Sequence, residues 1–391
     1  MSDQRPIGSF ANQVKRINET CISGADVYSV TKYDGFVRSL DYFKKQVFSR
    51  DLSSYKIVKR GEFAYSTIHL DEGALGLLGD EEALISPMYT TFEVDESVDK
   101  IYLSYLLRSP ELVSQYGLIG QGSVNRRKSV PFSSLAEIEV FTPPLPEQKK
   151  IAEILSGIDE AIKKTQSAGT QVDHTIQGIR DQTQTGKGTC TRIGDLIAKI
   201  STGVSVNSEN RPCRASEQGI LKVSCVSKGV FYPTENKVIQ AEERERASMS
   251  VKKGMLLMSR ANTPELVGAC GMADNDYGDL FLPDKIWNLE LSDSTPCDKR
   301  WLNNALNSGI VRSRIRDAST GTSSSMRNIS QSNFCEIELI VPPLEIQQMQ
   351  ADAIDCLQKR RNAFAVKQAM HLMLKAALSE DLLSGRKRVS V

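Results

Sequence analysis

The sequence predicts an α/β protein. It has two similar α/β domains related by pseudo-twofold symmetry, joined by two long helices that pair as an antiparallel coiled coil. Three observations predict it. The chain repeats itself once, each copy mixes short strands with helices, and each copy ends in a Pro-Pro-Leu step followed by a long helical pattern.

The repeat comes first, because missing one miscalls a fold. Residues 122–148 read GSVNRRKSVPFSSLAEIEVFTPPLPEQ, and residues 321–347 read GTSSSMRNISQSNFCEIELIVPPLEIQ. Gly122 falls on Gly321 without a gap. The same register matches Asp99-Lys100 to Asp298-Lys299 and Gly186-Lys187 to Gly385-Arg386. Further upstream the register slips, so that VKRGEFAYS (58–66) matches VKKGMLLMS (251–259). The shared frame therefore carries two divergent segments, 1–142 and 190–341, each followed by a helical segment, 143–189 and 342–391.

Within 190–341, GILKVSCVS (219–227) and IWNLEL (286–291) alternate in strand fashion between turn residues. WLNNALNSGIVRSRIRDA (301–318) reads as one helix, and 102–117 as its counterpart. The helical pattern of 146–185 places Ile151, Leu155, Ile158, Ile162, Val172, Ile176 and Ile179 on a 4,3 spacing, interrupted at Thr165 and Gly169. That is a heptad seam, which needs a partner helix. Segment 345–384 supplies one, with Leu357, Phe364, Met370, Leu374, Leu378 and Leu382 as its apolar stripe. Packing of each helix on its own domain is the simpler alternative.

Composition bounds the rest. A chain of 391 residues, 40% hydrophobic and 25% charged, is expected to hold two or more folded domains. No apolar run reaches the ~18 residues of a membrane span, and MSDQRPIGSF lacks the pattern of a secretory signal. The eight cysteines form no C-x-x-C pair and there are three histidines, which argues against a metal site. Unpatterned cysteines suit a reducing, cytoplasmic setting. The net charge of +1 argues against a surface coated in phosphate-binding lysines but leaves room for a local basic face.

Two loops in each copy have the chemistry to touch nucleic acid. The first contains Ser123, Asn125, Arg126, Arg127 and Lys128 in copy one, and Thr322, Ser323, Ser324, Arg327 and Asn328 in copy two. Hydroxyls and amides bond phosphates or base edges, and an arginine can fork onto guanine. A solvated polar turn is the alternative, and recurrence in both copies weighs against it. The second follows a strand: Ser259, Arg260 and Asn262 in copy two, and Ser66 at the matching place in copy one. Lys32, Arg38 and Lys228 read as ordinary surface charges.

Chemistry is missing by contrast. Neither Pro-Pro-Leu site has the [N/D]-P-P-[Y/F] loop of an adenine methyltransferase, and no phosphate-binding G-x-x-x-x-G-K-[ST] loop exists. Pro283-Asp284 lacks the acid-x-Lys that would complete a restriction-nuclease core. No catalytic residue, metal ligand or cofactor site is therefore expected in this chain.

Pro143-Pro144-Leu145-Pro146-Glu147-Gln148-Lys149-Lys150-Ile151-Ala152, Ile154-Leu155-Ser156-Gly157-Ile158-Asp159 and the tail Leu382-Leu383-Ser384-Gly385-Arg386-Lys387-Arg388 carry a resemblance. So does Ser259-Arg260-Ala261-Asn262-Thr263-Pro264-Glu265-Leu266-Val267-Gly268. The chain resembles the specificity subunits (HsdS) of type I restriction-modification systems. The resemblance implies two target-recognition domains (1–142 and 190–341), each reading half of a split, asymmetric site in double-stranded DNA. Between and after them lie a central helical spacer (143–189) and a C-terminal one (342–391). It also implies docking of two copies of the methyltransferase subunit HsdM, with S-adenosylmethionine held there, and a restriction-translocase subunit, HsdR. Copy one departs from the pattern, because Thr67 follows Ser66 where copy two has Arg260. A duplicated protein-interaction scaffold, or the specificity subunit of a type II-like methyltransferase-nuclease, is the competing expectation.

Overall fold

A computed structural model describes residues 3–19, 26–120, 129–227, 229–323 and 326–390, without the side chains of Thr322 and Ser323. The chain divides into two compact units, Met1–Thr165 with Lys367–Val391, and Gln166–Val366. Both are α/β. Among the described residues no helix is long and apolar enough to cross a membrane.

In the first unit a four-stranded sheet runs in the order Ala11–Val14, Tyr89–Val94, Phe63–Ser66, Leu75–Leu77. A second runs Gly35–Arg38, Val27–Thr31, Glu82–Ile85, Lys56–Lys59, with its central pair parallel. Phe63 stacks on Phe92 at 5.0 Å, and both are fully buried. Two helices, Lys100–Leu106 and Pro110–Ile119, close the core with Tyr102, Leu103 and Tyr116.

The second unit repeats this plan with larger sheets. Its six-stranded sheet sets Leu256–Ser259 between Ile286–Leu291 and Cys270–Met272. The strand 286–291 has the bounds its alternation predicts. A five-stranded sheet again holds one parallel pair, Gly219–Leu221 beside Tyr277–Phe281. The run 219–227 is broken by a 3-10 turn at Val223–Cys225 and is not one strand.

The helix expected over 301–318 is two helices, Lys299–Leu306 and Gly309–Ala318. The break is a cap: the Ser308 hydroxyl accepts a hydrogen bond from Val311 N–H, satisfying a donor the helix start leaves free. Copy one breaks at the same place, where Ser109 accepts from Leu112 N–H and Pro110 occupies the first turn. Asp99 and Asp298 cap the preceding helices in the same way.

The long helices are Leu145–Gln182 and Leu344–Leu383. At ~1.5 Å per residue, 38 residues span about 57 Å. In each unit they run antiparallel. In the first unit Asp159 pairs with Lys375 at 2.6 Å, while Ile151 and Leu155 share the core with Leu382 and Leu383. In the second, Asp173 pairs with Arg361 at 3.3 Å, and Val172 and Ile176 pack on Ile354 with Ile179, Leu357 and Phe364 around them. Gly169 belongs to this seam, since a Cβ there would meet Phe364 at 3.9 Å. Ile158, Ile162 and Leu378 are half-buried.

One seam assignment fails. Leu374 is 48% exposed, and Met370 beside it 63%. The seam of the second long helix follows Ile354, Leu357, Arg361, Phe364, Gln368, His371, Lys375, Leu378 and Leu382, a strict 3,4 alternation. Leu374 lies one residue off it. Polar residues occupy this seam because their stems are apolar enough to pack, and this hides it from a hydrophobicity pattern.

Candidate nucleic-acid interface

In the second unit the two loops singled out in the sequence meet. Ala261–Asn262 pairs antiparallel with Met326–Asn328, and Thr320–Ser323 completes a three-stranded sheet. Gly321 permits this close pairing, since a Cβ there would lie 2.5 Å from the Met326 carbonyl oxygen. Arg260 stands at the entrance to the sheet. Its N–H donates to the Lys285 carbonyl and its own carbonyl accepts from Ile329 N–H, both at 3.0 Å.

Its guanidinium lies on the same surface. Nε donates to the Asp284 carbonyl at 2.8 Å, Nη1 to Asn328 Oδ1 at 3.3 Å, and Nη2 to Asp284 Oδ2 at 3.4 Å. Arg327 is half-buried, with Nη1 donating to the Ser319 carbonyl at 3.1 Å, and Asn328 is exposed. Ser259 and Asn262 face inward. Ser259 is fully buried, and Asn262 Nδ2 donates to its hydroxyl at 3.2 Å while Asn262 Oδ1 accepts from Thr263 N–H. These two side chains shape the strand end that carries Arg260 and present nothing outward.

The first unit keeps one of these main-chain bonds with other side chains. Val130 N–H donates to the Thr67 carbonyl at 2.9 Å, as Ile329 does to Arg260. The hydroxyl of buried Tyr65 donates to the Val130 carbonyl at 3.1 Å. Burial raises the Tyr65 phenol well above its usual range, so it remains a donor. Ser66 is half-buried beside Thr67. Ser123, Asn125, Arg126, Arg127, Lys128 and Ser324 lie outside the described residues, as does Lys228.

Sequence reasoning missed two kinds of residue here. Asp284 drew attention only as half of an absent nuclease motif, yet it contacts Arg260 through both main chain and side chain. Gln148 and Gln347, both 1% exposed, pin the start of each long helix. Gln347 Oε1 accepts from Asp298 N–H at 2.8 Å, and its Nε2 donates to the carbonyls of Pro342 and Pro296 at 2.9 and 3.3 Å. Gln148 repeats this with Asp99, Pro143 and Ser97. The signal was available, since Pro-Pro-Leu is followed by Gln at a fixed distance in both copies.

These features define a class: a duplicated α/β protein, each unit built on one frame around portions of two long antiparallel helices. Residues 86–169 match the family model of the type I restriction modification DNA specificity domain. Over that segment the chain is similar to the DNA specificity domains of type I restriction-modification systems. It is 27% identical over 157 residues to the type I restriction enzyme EcoEI specificity subunit of Escherichia coli, a match covering 40% of this chain and about a quarter (26%) of that protein. Two solved structures share the fold. One, described under the structural basis of complex assembly and conformational transition of the type I R-M system, covers 98% of both chains at 14% identity and a TM-score of 0.59. The other, the type I restriction-modification S subunit from M. genitalium, covers 97% of this chain and 95% of that one at 13% identity and a TM-score of 0.57.

Proposed function

We propose that this chain is the DNA-specificity subunit of a type I restriction-modification complex and performs no bond-making chemistry itself. The recognition role falls to 1–142 and 190–341, each reading one half of a bipartite, asymmetric site in double-stranded DNA. The helical segments 143–189 and 342–391 set the gap between half-sites and dock two methyltransferase subunits. Those subunits hold S-adenosylmethionine and methylate adenine, and a restriction-translocase subunit joins them for cleavage.

The observation that carries the reading is the meeting of residues 261–262, 320–323 and 326–328 on one small sheet, with Arg260 at its entrance and Arg327 on it. An arginine fork can take guanine O6 and N7, which distinguishes one base pair from the other three. A phosphate contact in the same place would strengthen binding without selecting sequence.

The test is mapping of methylated adenines in cells that carry the chain with its methyltransferase partner. Methylation is expected at a split site. Arg260→Ala is expected to cost about 1–3 kcal/mol at one position of one half-site. Arg327→Ala should either act in the same way or weaken all sequences together. Methyl transfer by the isolated chain, or half-sites indifferent to both changes, refutes the reading.

A further inference from the structure

We propose that Asp284 is a positioning residue for base recognition in the second unit, holding the Arg260 guanidinium in one orientation with donors left over for a base. The proposal rests on reading Arg260 as a base-contacting residue. A guanidinium has five N–H donors in a rigid planar fork. Three hydrogen bonds are made here, two to Asp284 and one to Asn328. Among the described residues two N–H groups remain, the number that guanine O6 and N7 accept.

The buttress is itself held. The second carboxylate oxygen of Asp284 accepts from the Ser205 hydroxyl. The turn carrying Asp284 is fixed by the Thr202 hydroxyl, placed 3.1 Å from the Pro283 carbonyl and 3.2 Å from that of Ile286. The backbone on either side of the Arg260 side chain is hydrogen-bonded to this turn and to the neighbouring sheet. The Arg260 and Asp284 side chains are 29% and 40% exposed, so a duplex can reach both. Asn328, expected from the sequence to contact DNA, supplies the third anchor.

A carboxylate here has a cost that a purely structural residue lacks. It repels the phosphate backbone, and so weakens binding to every sequence. The gain is orientation, because a site held in the productive geometry discriminates better than a mobile one. Removing Asp284 should therefore move two quantities in opposite directions. Affinity for random duplex rises, and selectivity at one base pair falls.

The experiment uses the full chain with Arg260→Ala, Asp284→Ala, Asp284→Asn and Ser205→Ala. Each is used to select duplexes from a randomised pool, with affinity for random duplex and thermal unfolding measured alongside. Arg260→Ala is expected to relax one position about 5- to 150-fold. Asp284→Ala should relax the same position, with equal or tighter random-duplex binding and unchanged unfolding. Asp284→Asn keeps an acceptor oxygen and should retain part of the selectivity, and Ser205→Ala should fall between parent and Asp284→Ala. If Arg260→Ala relaxes a position that Asp284→Ala leaves intact, the positioning role is overturned while Arg260 remains a reader. If Asp284→Ala lowers selectivity, affinity and unfolding temperature together, the residue is structural and the proposal fails. If Arg260→Ala changes no position, the reading beneath the proposal is wrong and both fall.

Discussion

Replacing Gln347 by alanine should unlatch the second long helix from its domain. The Gln347 side chain makes three hydrogen bonds, and the one to the Pro342 carbonyl is fully buried. Alanine leaves that carbonyl without a partner, at about 1–3 kcal/mol. The Asp298 N–H and the Pro296 carbonyl are part-buried and recover water, so each loses about 0.5–1.5 kcal/mol. Roughly 2–6 kcal/mol is expected in total, which for a unit of this size lowers its melting temperature by about 4–24 °C. Two units need not unfold together, so calorimetry should resolve the affected transition. Gln148→Ala should shift the other transition by a similar amount, because its three bonds mirror these. A loss below about 0.5 kcal/mol for either variant would refute the latch.

Four further outcomes follow from the geometry. Arg388 grips Glu147 through two bonds of 2.8 and 2.7 Å, and Val389 N–H adds a third; the Arg388 hydrogen bond leads in holding this carboxyl below its usual range. A depressed folded pKa means stability that is complete above the ordinary carboxylate value of about 4.3 and is lost as pH falls through the lower folded value. Arg388→Ala should therefore destabilise the first unit at neutral pH and much less in acid, as read by denaturant melts at both. Gly169→Ala should stabilise by about 0.5–1 kcal/mol, since the new Cβ meets only ordinary contact with Phe364 and the helix gains propensity. Gly203→Ala should cost about 2–3 kcal/mol in the same assay, since its Cβ would overlap the Leu282 carbonyl oxygen. Alkylation followed by mass mapping should find Cys190 and Cys356 modified in the folded chain. Cys225 and Cys270 should react only on unfolding, because both are buried and burial pushes the Cys270 thiol up to about 12.

What was legible in the sequence depended on whether the cause was local. The duplicated frame could be read because about ninety residues align without a gap, and a strand such as 286–291 because its alternation is a short-range pattern. The split at Asn307-Ser308 is also local, but a serine between two apolar turns reads equally as a tolerated helix residue. The slip to Leu374 arose because Arg361, Gln368, His371 and Lys375 occupy the seam while Met370, Met373 and Leu374 stand outside it. At the candidate interface, residue type alone could not separate outward Arg260 from inward Ser259 and Asn262. Asp284 was invisible for a different reason: its partner is 24 residues away, joined only by tertiary pairing.

On the proposed reading, the two copies illustrate how one frame can carry two different recognition surfaces. The bond from Val130 N–H to the Thr67 carbonyl and that from Ile329 N–H to the Arg260 carbonyl are 2.9 and 3.0 Å. This main-chain bond is thus shared at a point where the side chains differ in chemistry. Main-chain pairing places the residue, and the side chain at that place is free to change without disturbing the pairing. Threonine has one hydroxyl and a methyl, whereas arginine has a five-donor fork and needs anchors to orient it. Among the described residues the anchors accordingly appear with the arginine: Asp284 and Asn328 hold Arg260, while Thr67 needs no such support. A graft of Arg260 alone onto position 67 should therefore raise DNA affinity through charge and leave selectivity unchanged. An Asp284-like carboxylate added in the same unit should restore discrimination. Selection from a randomised duplex pool by the single and double grafts measures both effects, and selectivity gained by the single graft would show that the fork orients itself without anchors.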